Sequence, residues 1–596
     1  MTTYVAPAKD MLFVMQELAG LDEIAKLPGL EEMSPDVVQT IIDEAGRFAG
    51  EVLAPLHKTG DQVGSRVENG VVTTPPGFKE AYQKFVAGGW PTVACPPEFG
   101  GQGMPQLLSA VLQEMWCSAN MAFSLCPMLG QAAVEAVEHY ASDRLKAIYL
   151  PRMVSGEWTG TMNLTEPQAG SDLGAIRTRA VPAGDHYRIT GTKIFITWGD
   201  HDFTDNIVHT VLARLPDAPE GTKGISLFIV PKYLVKPDGS VGERNDVQCV
   251  SLEHKMGIHA SPTAVMSYGD KGGAVGYLVG QPNRGLEYMF LMMNRARLAV
   301  GLEGAAMSER AYQQALAYAR ERVQGKPIGA SGGRSAIIHH PDVRRMLMSM
   351  KSQTEAMRAL AYYAAGTLDK AIRHPDAKAR ARYQATAELL IPVVKGWSTE
   401  QANEVASLGV QVHGGMGFIE ETGAAQLMRD TRITAIYEGT TGIQAMDLLG
   451  RKVARDTGAA AAALIADMRD VHGQLKEAAG SDFHAIEASF GAGIAALEES
   501  TRYLLNTFGQ NPRAAAAGSV PYLMLLGTVA GGWQMARAAL VSQRKLASGG
   551  GDKRFHETKI ATARFYADHI LPRAGGYRHE IVSGADSTLR LEEAQF

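Results

Sequence analysis

Cysteine is scarce in this sequence. Its four residues, Cys95, Cys117, Cys126 and Cys249, form no Cys-x-x-Cys pair and no Cys/His spacing of the zinc-binding kind. That excludes a disulfide framework and the common zinc modules, leaving buried or incidental thiols in a reducing compartment, with no metal expected. Long apolar runs are missing too: no stretch suffices to span a bilayer, and Met1 to Asp10 lacks a basic region followed by an apolar one. A cytoplasmic location is the expectation. Basic charge is not in excess either, 58 Lys and Arg against 63 Asp and Glu, net −5, with no polybasic tail. No nucleic-acid partner is expected on that ground. Internal repeats and long disordered tracts are also absent.

What is present is an ordinary globular composition, 45% hydrophobic and 20% charged, in 596 residues. One core does not grow to that size, so several packed units are expected. To about Trp158 the chain reads as helices, with Met11 to Met15, Leu18, Val37, Val38, Ile41, Ile42 and Phe48 on a helical beat. Gly88-Gly89-Trp90-Pro91 and Pro96 to Gly103 break it as loops, and helical patterning resumes from Leu107 to Leu150. From Trp158 to about Pro282 the segments are short and rich in β-formers. Ile225, Leu227 and Ile229 alternate like a half-buried strand, and Tyr187 to Thr197 reads as two strands around a glycine turn.

Helices return after Gly285, with Leu286, Met289, Phe290, Met293 and Val300 on one face. Others are expected over Asp342 to Asp369 and Lys378 to Leu408. A further helix follows Glu438, with Ile443, Met446, Leu449 and Val453 inward. Beyond Gly458 an Ala-rich helical region follows, broken at Gly549-Gly550-Gly551.

Four local features bear on chemistry. Thr165-Glu166-Pro167-Gln168-Ala169-Gly170-Ser171-Asp172 is a polar loop that suits a flat heteroaromatic ring or a phosphate, or is simply a turn. Phe195-Ile196-Thr197-Trp198-Gly199 pairs an aromatic surface with a hydroxyl donor, or is an ordinary strand end. Gln411-Val412-His413-Gly414-Gly415-Met416-Gly417-Phe418 allows close backbone approach to a ligand; His413 itself is as well read as a packed histidine. Ile436-Tyr437-Glu438-Gly439-Thr440-Thr441 sets a carboxylate beside apolar neighbours at a turn before a helix. Desolvation there would raise its basicity, as a base acting on a carbon acid requires.

In this order and spacing the four features resemble the acyl-CoA dehydrogenase family, from about Val37 to Val453. The resemblance implies an α+β fold: an N-terminal helical domain (1–158), a middle β-domain (159–284), a C-terminal four-helix bundle with the catalytic glutamate (285–456) and an extra helical domain (457–596). It implies FAD between the β-domain and the second helical domain. Met162, Leu164, Thr165, Gly170 and Ser171 would then line the flavin and the start of the CoA channel. Phe195 and Thr197 match the family's aromatic-x-Thr element, where the aromatic is usually Trp, so Phe195 loses an indole donor. Thr197 would hydrogen-bond near flavin N5. Arg322 matches the arginine that reaches the FAD pyrophosphate, and with Gln411, Gly414 and Gly415 it would serve a neighbouring subunit's FAD, which implies a dimer or a dimer of dimers. The loop after Arg322 is one residue shorter than the family's common form.

Glu438 matches the catalytic base, which removes the α-proton as the β-hydride passes to flavin N5 and yields the trans-2-enoyl-CoA. The thioester oxygen would be held by the base's own N–H and a ribityl hydroxyl. Thr440 would touch the cofactor; Ser171, Asn294, Arg297, Tyr437 and Gly439 would meet the substrate, Arg297 being equally well a structural ion pair. Ala296 stands where some members carry the base instead, so that alternative is closed.

The Tyr4-Val5-Ala6-Pro7 opening and the appendix past Gly458 resemble the enlarged bacterial members, which act on fatty acyl-CoAs or 3-methylmercaptopropionyl-CoA, with electron-transferring flavoprotein as acceptor. The appendix lacks a basic amphipathic face, so membrane association is not expected. An acyl-CoA oxidase is the near alternative, disfavoured by the absence of a peroxisomal signal at Glu593-Ala594-Gln595-Phe596. A flavin-containing nucleic-acid-binding stress protein and a binding protein that lost the reaction are the others. The acidic balance and the intact Tyr437 to Thr440 motif speak against the first, and the filling of every expected catalytic position speaks against the second.

Overall fold

The computed structural model describes residues 4–31 and 33–596, so residues 1–3 and 32 of the expected N-terminal domain lie outside the described residues. The chain divides into two compact units: Ala45–Met104 with Met115–Ala296, and Met1–Glu44 with Pro105–Glu114 and Arg297–Phe596.

The first unit carries all twelve strands found among the described residues: β1 Arg66–Glu68, β2 Val71–Thr73, β3 Thr159–Asn163, β4 Arg179–Ala183, β5 His186–Thr197, β6 Ile207–Arg214, β7 Ile225–Pro231, β8 Tyr233–Val235, β9 Val241–Arg244, β10 Val247–Leu252, β11 Thr263–Tyr268 and β12 Ala274–Val279. The β1–β2 and β8–β9 pairs stand as small ribbons, and the rest form an eight-stranded sheet ordered β10-β11-β5-β12-β7-β6-β3, with β4 on β5 and β6. Ile189, Ile196, Val211, Phe228, Val230 and Met266 fill its core.

Three expectations are corrected here. The β1–β2 ribbon interrupts a stretch that reads as wholly helical. Strand β7 is buried along its whole length rather than on one face, because β6 and β12 flank it and both of its faces are covered. Tyr187 to Thr197 is not two strands but part of one, β5. Its first half pairs with β4 and β12 and its second half with β11, so each half carries its own partner pattern.

Polar β3 is buried throughout, and its side chains are satisfied in pairs. Thr161 bonds His209 at 2.7 Å, Asn163 donates to Thr161 at 2.8 Å, and the Tyr268 hydroxyl donates to Asn163 at 2.7 Å. Burial with hydrogen bonds costs far less than burial without them. The four cysteines are buried and none is in a disulfide, and burial pushes Cys95 up to about 12.

The second unit is helical. Its long elements include Pro341–Arg373, Ala377–His413, Ser481–Phe508 and Ser519–Ala547, and the Gly285–Glu321 helix contributes its part from Arg297 onward. The appendix is packed into this unit rather than tethered to it. A Cβ at Gly527 would lie 2.2 Å from Cγ of buried Trp397, so the Ser519–Ala547 helix approaches Ala377–His413 as only glycine allows. Arg573 grips Glu404 through two bonds of 2.7 Å. At the chain's start, Asp10 accepts from Arg358 at 2.7 Å and from Lys559 of the appendix. Among the described residues no helix is long and apolar enough to cross a membrane.

Candidate active site

In the helical unit the chemistry gathers at the turn between Ile436 and Thr441. Glu438 has φ 55° and Gly439 φ 93°, two successive left-handed residues. For a glutamate that conformation costs energy and persists only where its surroundings impose it. They do so from both sides. The Gln444 amide donates to the Glu438 carbonyl at 3.0 Å, and the Lys395 ammonium donates to the Gly439 carbonyl at 2.6 Å. A Cβ at Gly439 would lie 2.7 Å from that Gln444 amide nitrogen, so glycine is required twice over. Thr440, expected at the cofactor, is exposed and caps the short Thr441–Met446 helix, its hydroxyl accepting from Ile443 N at 3.3 Å.

That clamp also corrects the expected inner face of the following helix. Leu449 and Val453 are buried as expected, but Met446 is 41% exposed, and Thr441, Gln444, Ala445 and Leu448 point inward in its place. The polar pair displaces the apolar pattern because it has work at the turn: Gln444 holds the Glu438 carbonyl and Thr441 donates to Glu400.

Electrostatics follow from burial. Desolvation raises the Glu438 carboxyl above its ordinary value, with Arg297 and Lys395 pulling the other way. Desolvation likewise lowers Lys395 to about 8, against the pull of Glu438 and Glu303. Arg297 is buried and paired with Asp447 at 3.1 Å, so the ion-pair reading of this arginine is observed. Tyr437 donates its hydroxyl to Glu303, a fully buried carboxyl on the Gly285–Glu321 helix. Thus Arg297, Tyr437, Glu438 and Gly439 are brought together.

A second edge of the same unit joins Arg322 to the Gln411–Gly415 segment. His413 is buried, bonds the Gly409 carbonyl at 2.7 Å and stacks on Tyr318 with ring centroids 4.5 Å apart, so it is a packed histidine. The Tyr318 carbonyl accepts from Arg322 N at 2.9 Å, which places Arg322 close by, exposed at the helix end. Gln411, Gly414 and Gly415 are exposed, with open space where a Cβ on either glycine would stand.

In the β-containing unit the polar loop and β5 form a second group. Glu166 staples the loop. Its carboxylate accepts from Lys193 at 2.8 Å, Thr178 Oγ1 at 2.6 Å, and the N–H groups of Arg177 at 2.6 Å and Thr178 at 3.1 Å. Lys193 also donates to the Leu164 carbonyl at 2.9 Å, and Ile194 N donates to the Thr165 carbonyl at 2.9 Å. Met162 is buried on β3, Leu164 and Thr165 are half-buried, and Gly170 and Ser171 stand exposed with open space at Gly170. On β5 a bulge sets Ile194 and Phe195 opposite Val265 alone. Phe195 takes φ 58° and is 58% exposed, its ring turned outward beside half-buried Thr197. The indole donor missing at Phe195 exists at Trp198, where it is spent on the Ala122 carbonyl at 3.1 Å. Asn294 is half-buried on the Gly285–Glu321 helix.

Sequence reasoning passed over Glu303, Lys395, Gln444 and the Glu166–Lys193 pair. The signal was present: Glu303 and Lys395 are lone charges inside otherwise apolar helix stretches, Val300 to Ala306 and Leu389 to Trp397.

Family comparison agrees with this arrangement. The N-terminal domain of acyl-CoA dehydrogenases matches residues 36–157, the middle domain 161–270 and the C-terminal domain 283–453, and a domain described as acetyl-CoA dehydrogenase C-terminal like matches 459–592. The chain belongs to the acyl-CoA dehydrogenase family, whose members are FAD-dependent oxidoreductases. Over 98% of its length and 99% of the relative's it is 50% identical to 3-methylmercaptopropionyl-CoA dehydrogenase of Ruegeria pomeroyi. It is 34% identical to the broad-specificity linear acyl-CoA dehydrogenase of Mycobacterium tuberculosis, covering the whole of both chains at 100%. Its fold resembles that of an acyl-CoA dehydrogenase complexed with FAD from Bacillus anthracis, with TM-score 0.74, 20% identity, and coverage of 98% and 92% of the two chains.

Proposed function

We propose that this chain desaturates an acyl-CoA thioester between its α and β carbons, with Glu438 as the base and 3-methylmercaptopropionyl-CoA as the preferred substrate. The substrate follows the relative at 50% identity, and linear fatty acyl-CoAs are the second class, since an apolar pocket separates one methylene from the next by only roughly 1–3 kcal/mol. The observation that carries the reading is the Glu438 turn: a desolvated carboxyl, strained in φ and clamped through its own backbone.

The residues fit FAD. Phe195 offers an outward ring face beside the Thr197 hydroxyl, and Gly170, Gly414 and Gly415 leave open space at exposed backbone. Met162, Leu164, Thr165, Gly170, Ser171, Phe195, Thr197 and Thr440 are proposed to hold it, and Arg322, Gln411, Gly414 and Gly415 to reach the FAD of a neighbouring subunit. Bound FAD supplies the acceptor for the β-hydride. The chain's own part is acid–base: Glu438, its basicity raised by burial, takes the α-proton, and its N–H, pointed by the clamped turn, steadies the thioester oxygen. Ser171, Asn294, Arg297, Tyr437 and Gly439 are proposed to meet the substrate, with domain limits at 158, 284 and 456.

A homodimer and an electron-transferring flavoprotein as acceptor complete the proposal. Near the Gln411–Gly415 segment Phe418 is 85% exposed and Met416 47%, apolar surface that a second copy would cover. Anaerobic titration with a panel of acyl-CoAs tests the reading. The 3-methylmercaptopropionyl thioester bleaches the flavin of the wild type and not of Glu438→Gln. A protein that takes up no FAD refutes it, and fast reoxidation by dioxygen would make the protein an oxidase.

A further inference from the structure

We infer that Glu303 is a positioning residue for the proposed dehydrogenation: through the Tyr437 hydroxyl it fixes the strained turn that carries Glu438. The inference rests on the proposed role of Glu438 as base.

Glu303 lies in Val300-Gly301-Leu302-Glu303-Gly304-Ala305-Ala306, every residue of which is buried. A carboxyl is kept in such a place at considerable cost unless it is paired and fully hydrogen-bonded. The unit shows what a paired one looks like. Glu114 takes two bonds from Arg358, at 2.9 and 2.6 Å, and a third from Tyr362 at 2.7 Å. Glu303 is different: one oxygen accepts from Tyr437, and the other is buried with no hydrogen-bond partner among the described residues. Among the described residues no cation closes on it as Arg358 closes on Glu114. Its one bond goes to the residue next to Glu438.

That bond completes a set of three anchors on the turn. Gln444 holds the Glu438 carbonyl, Lys395 holds the Gly439 carbonyl, and Glu303 holds the Tyr437 side chain where the chain enters the left-handed pair. Left-handed φ at a glutamate persists only while its surroundings impose it, and each anchor removes one way to relax. Charge supports the same role. Tyr437, Lys395 and Glu438 are the titratable groups facing Glu303, and burial raises its carboxyl to about 8. Near neutral pH it therefore stays protonated, anchoring Tyr437 without competing with Glu438 for Lys395.

The experiment uses the FAD-loaded enzyme and anaerobic stopped-flow reduction by 3-methylmercaptopropionyl-CoA and butyryl-CoA, from neutral to mildly alkaline pH. The variants are Glu303→Leu, Glu303→Gln, Tyr437→Phe, the Leu/Phe double and Glu438→Gln. Glu303→Leu lowers the limiting rate of flavin reduction roughly 10- to 100-fold, the scale of a slightly misplaced catalytic group, with FAD content and KM unchanged. Glu303→Gln, which keeps an acceptor for Tyr437, recovers most of that rate. The double variant is no slower than the slower single one, because both changes cut the same link. Wild-type rates in Glu303→Leu or Tyr437→Phe, while Glu438→Gln is dead, overturn the inference and leave the base in place. Should Glu303→Leu fail to fold, Tyr437→Phe and Glu303→Gln decide alone: a wild-type rate in Tyr437→Phe, or a Glu303→Gln rate no higher than that of Tyr437→Phe, overturns it. Full activity in Glu438→Gln instead strikes the base assignment itself.

Discussion

Lys395 gives its buried ammonium to the carbonyl of Gly439, 2.6 Å away, and so supports the backbone of the Glu438 turn instead of pairing directly with a carboxylate. The same charge acts on Glu438 through space, and burial brings Lys395 down to about 8. One side chain thus sets both where the glutamate sits and how readily it holds a proton.

Lys395→Met separates these effects. Removing the cation lets the Glu438 carboxyl rise further, so the acid limb of the flavin-reduction profile moves to higher pH by roughly one unit or more. The melting temperature changes little, because loss of the hydrogen bond is offset by no longer burying a charge. A pH–rate series beside thermal melts checks this; an acid limb that stays in place would show that Lys395 does not tune the base.

Glu438→Gln trades function for stability. Loss of a general base costs roughly 100- to 10,000-fold in the rate of flavin reduction. A carboxyl whose value is raised by folding stabilises the native state below its unfolded value and loses that contribution as pH rises. Above neutrality the wild type therefore carries a desolvated charge that the amide does not, and Glu438→Gln melts at the same temperature as the wild type or higher. Calorimetry at mildly alkaline pH reads the difference, and a clear drop in the variant contradicts it.

The Glu438 turn was legible because its signature is contiguous: Tyr437-Glu438-Gly439-Thr440 carries carboxylate and glycine turn in four neighbouring residues. The helix–β–helix order was legible from periodicity for the same local reason. What supports the turn was not. Glu303, Lys395 and Gln444 converge from three helices, and no spacing in the sequence records that convergence. Met446 misled because an apolar residue at helical spacing looks inward, whereas the clamp needed Thr441 and Gln444 on that face. Strand β5 looked like two because its halves answer to different neighbours. His413 turned out to be packed, a distinction that only its stacking partner Tyr318 could make.

Gly439→Ala tests how far the turn depends on its left-handed geometry. At φ 93° a Cβ strains the backbone and meets the Gln444 amide that holds Glu438. The amide can swing away only by releasing the Glu438 carbonyl. The rate of flavin reduction falls roughly 10- to 100-fold with FAD still bound, and an unimpaired rate would mean that the turn tolerates relaxation.

The Glu166–Lys193 pair organises the loop more than it stabilises the fold. Salt bridging and hydrogen bonds bring Glu166 down to about 2, while burial brings Lys193 down to about 8. The lowered carboxyl stabilises the fold above its unfolded value and loses that contribution as pH falls through about 2; the lowered ammonium opposes folding at neutral pH. The two contributions are opposite in sign, so the intact pair nets little. Breaking it is another matter, since a lone buried charge remains. Glu166→Gln or Lys193→Met alone destabilises by roughly 3–5 kcal/mol, and Glu166→Leu with Lys193→Met costs less than the two single changes together. The loop from Leu164 to Thr178 loses its staple in every case, so FAD content falls in the double variant as well. Denaturant melts with flavin absorbance measure both quantities. A double variant that keeps full FAD would show that the loop holds its shape without the pair.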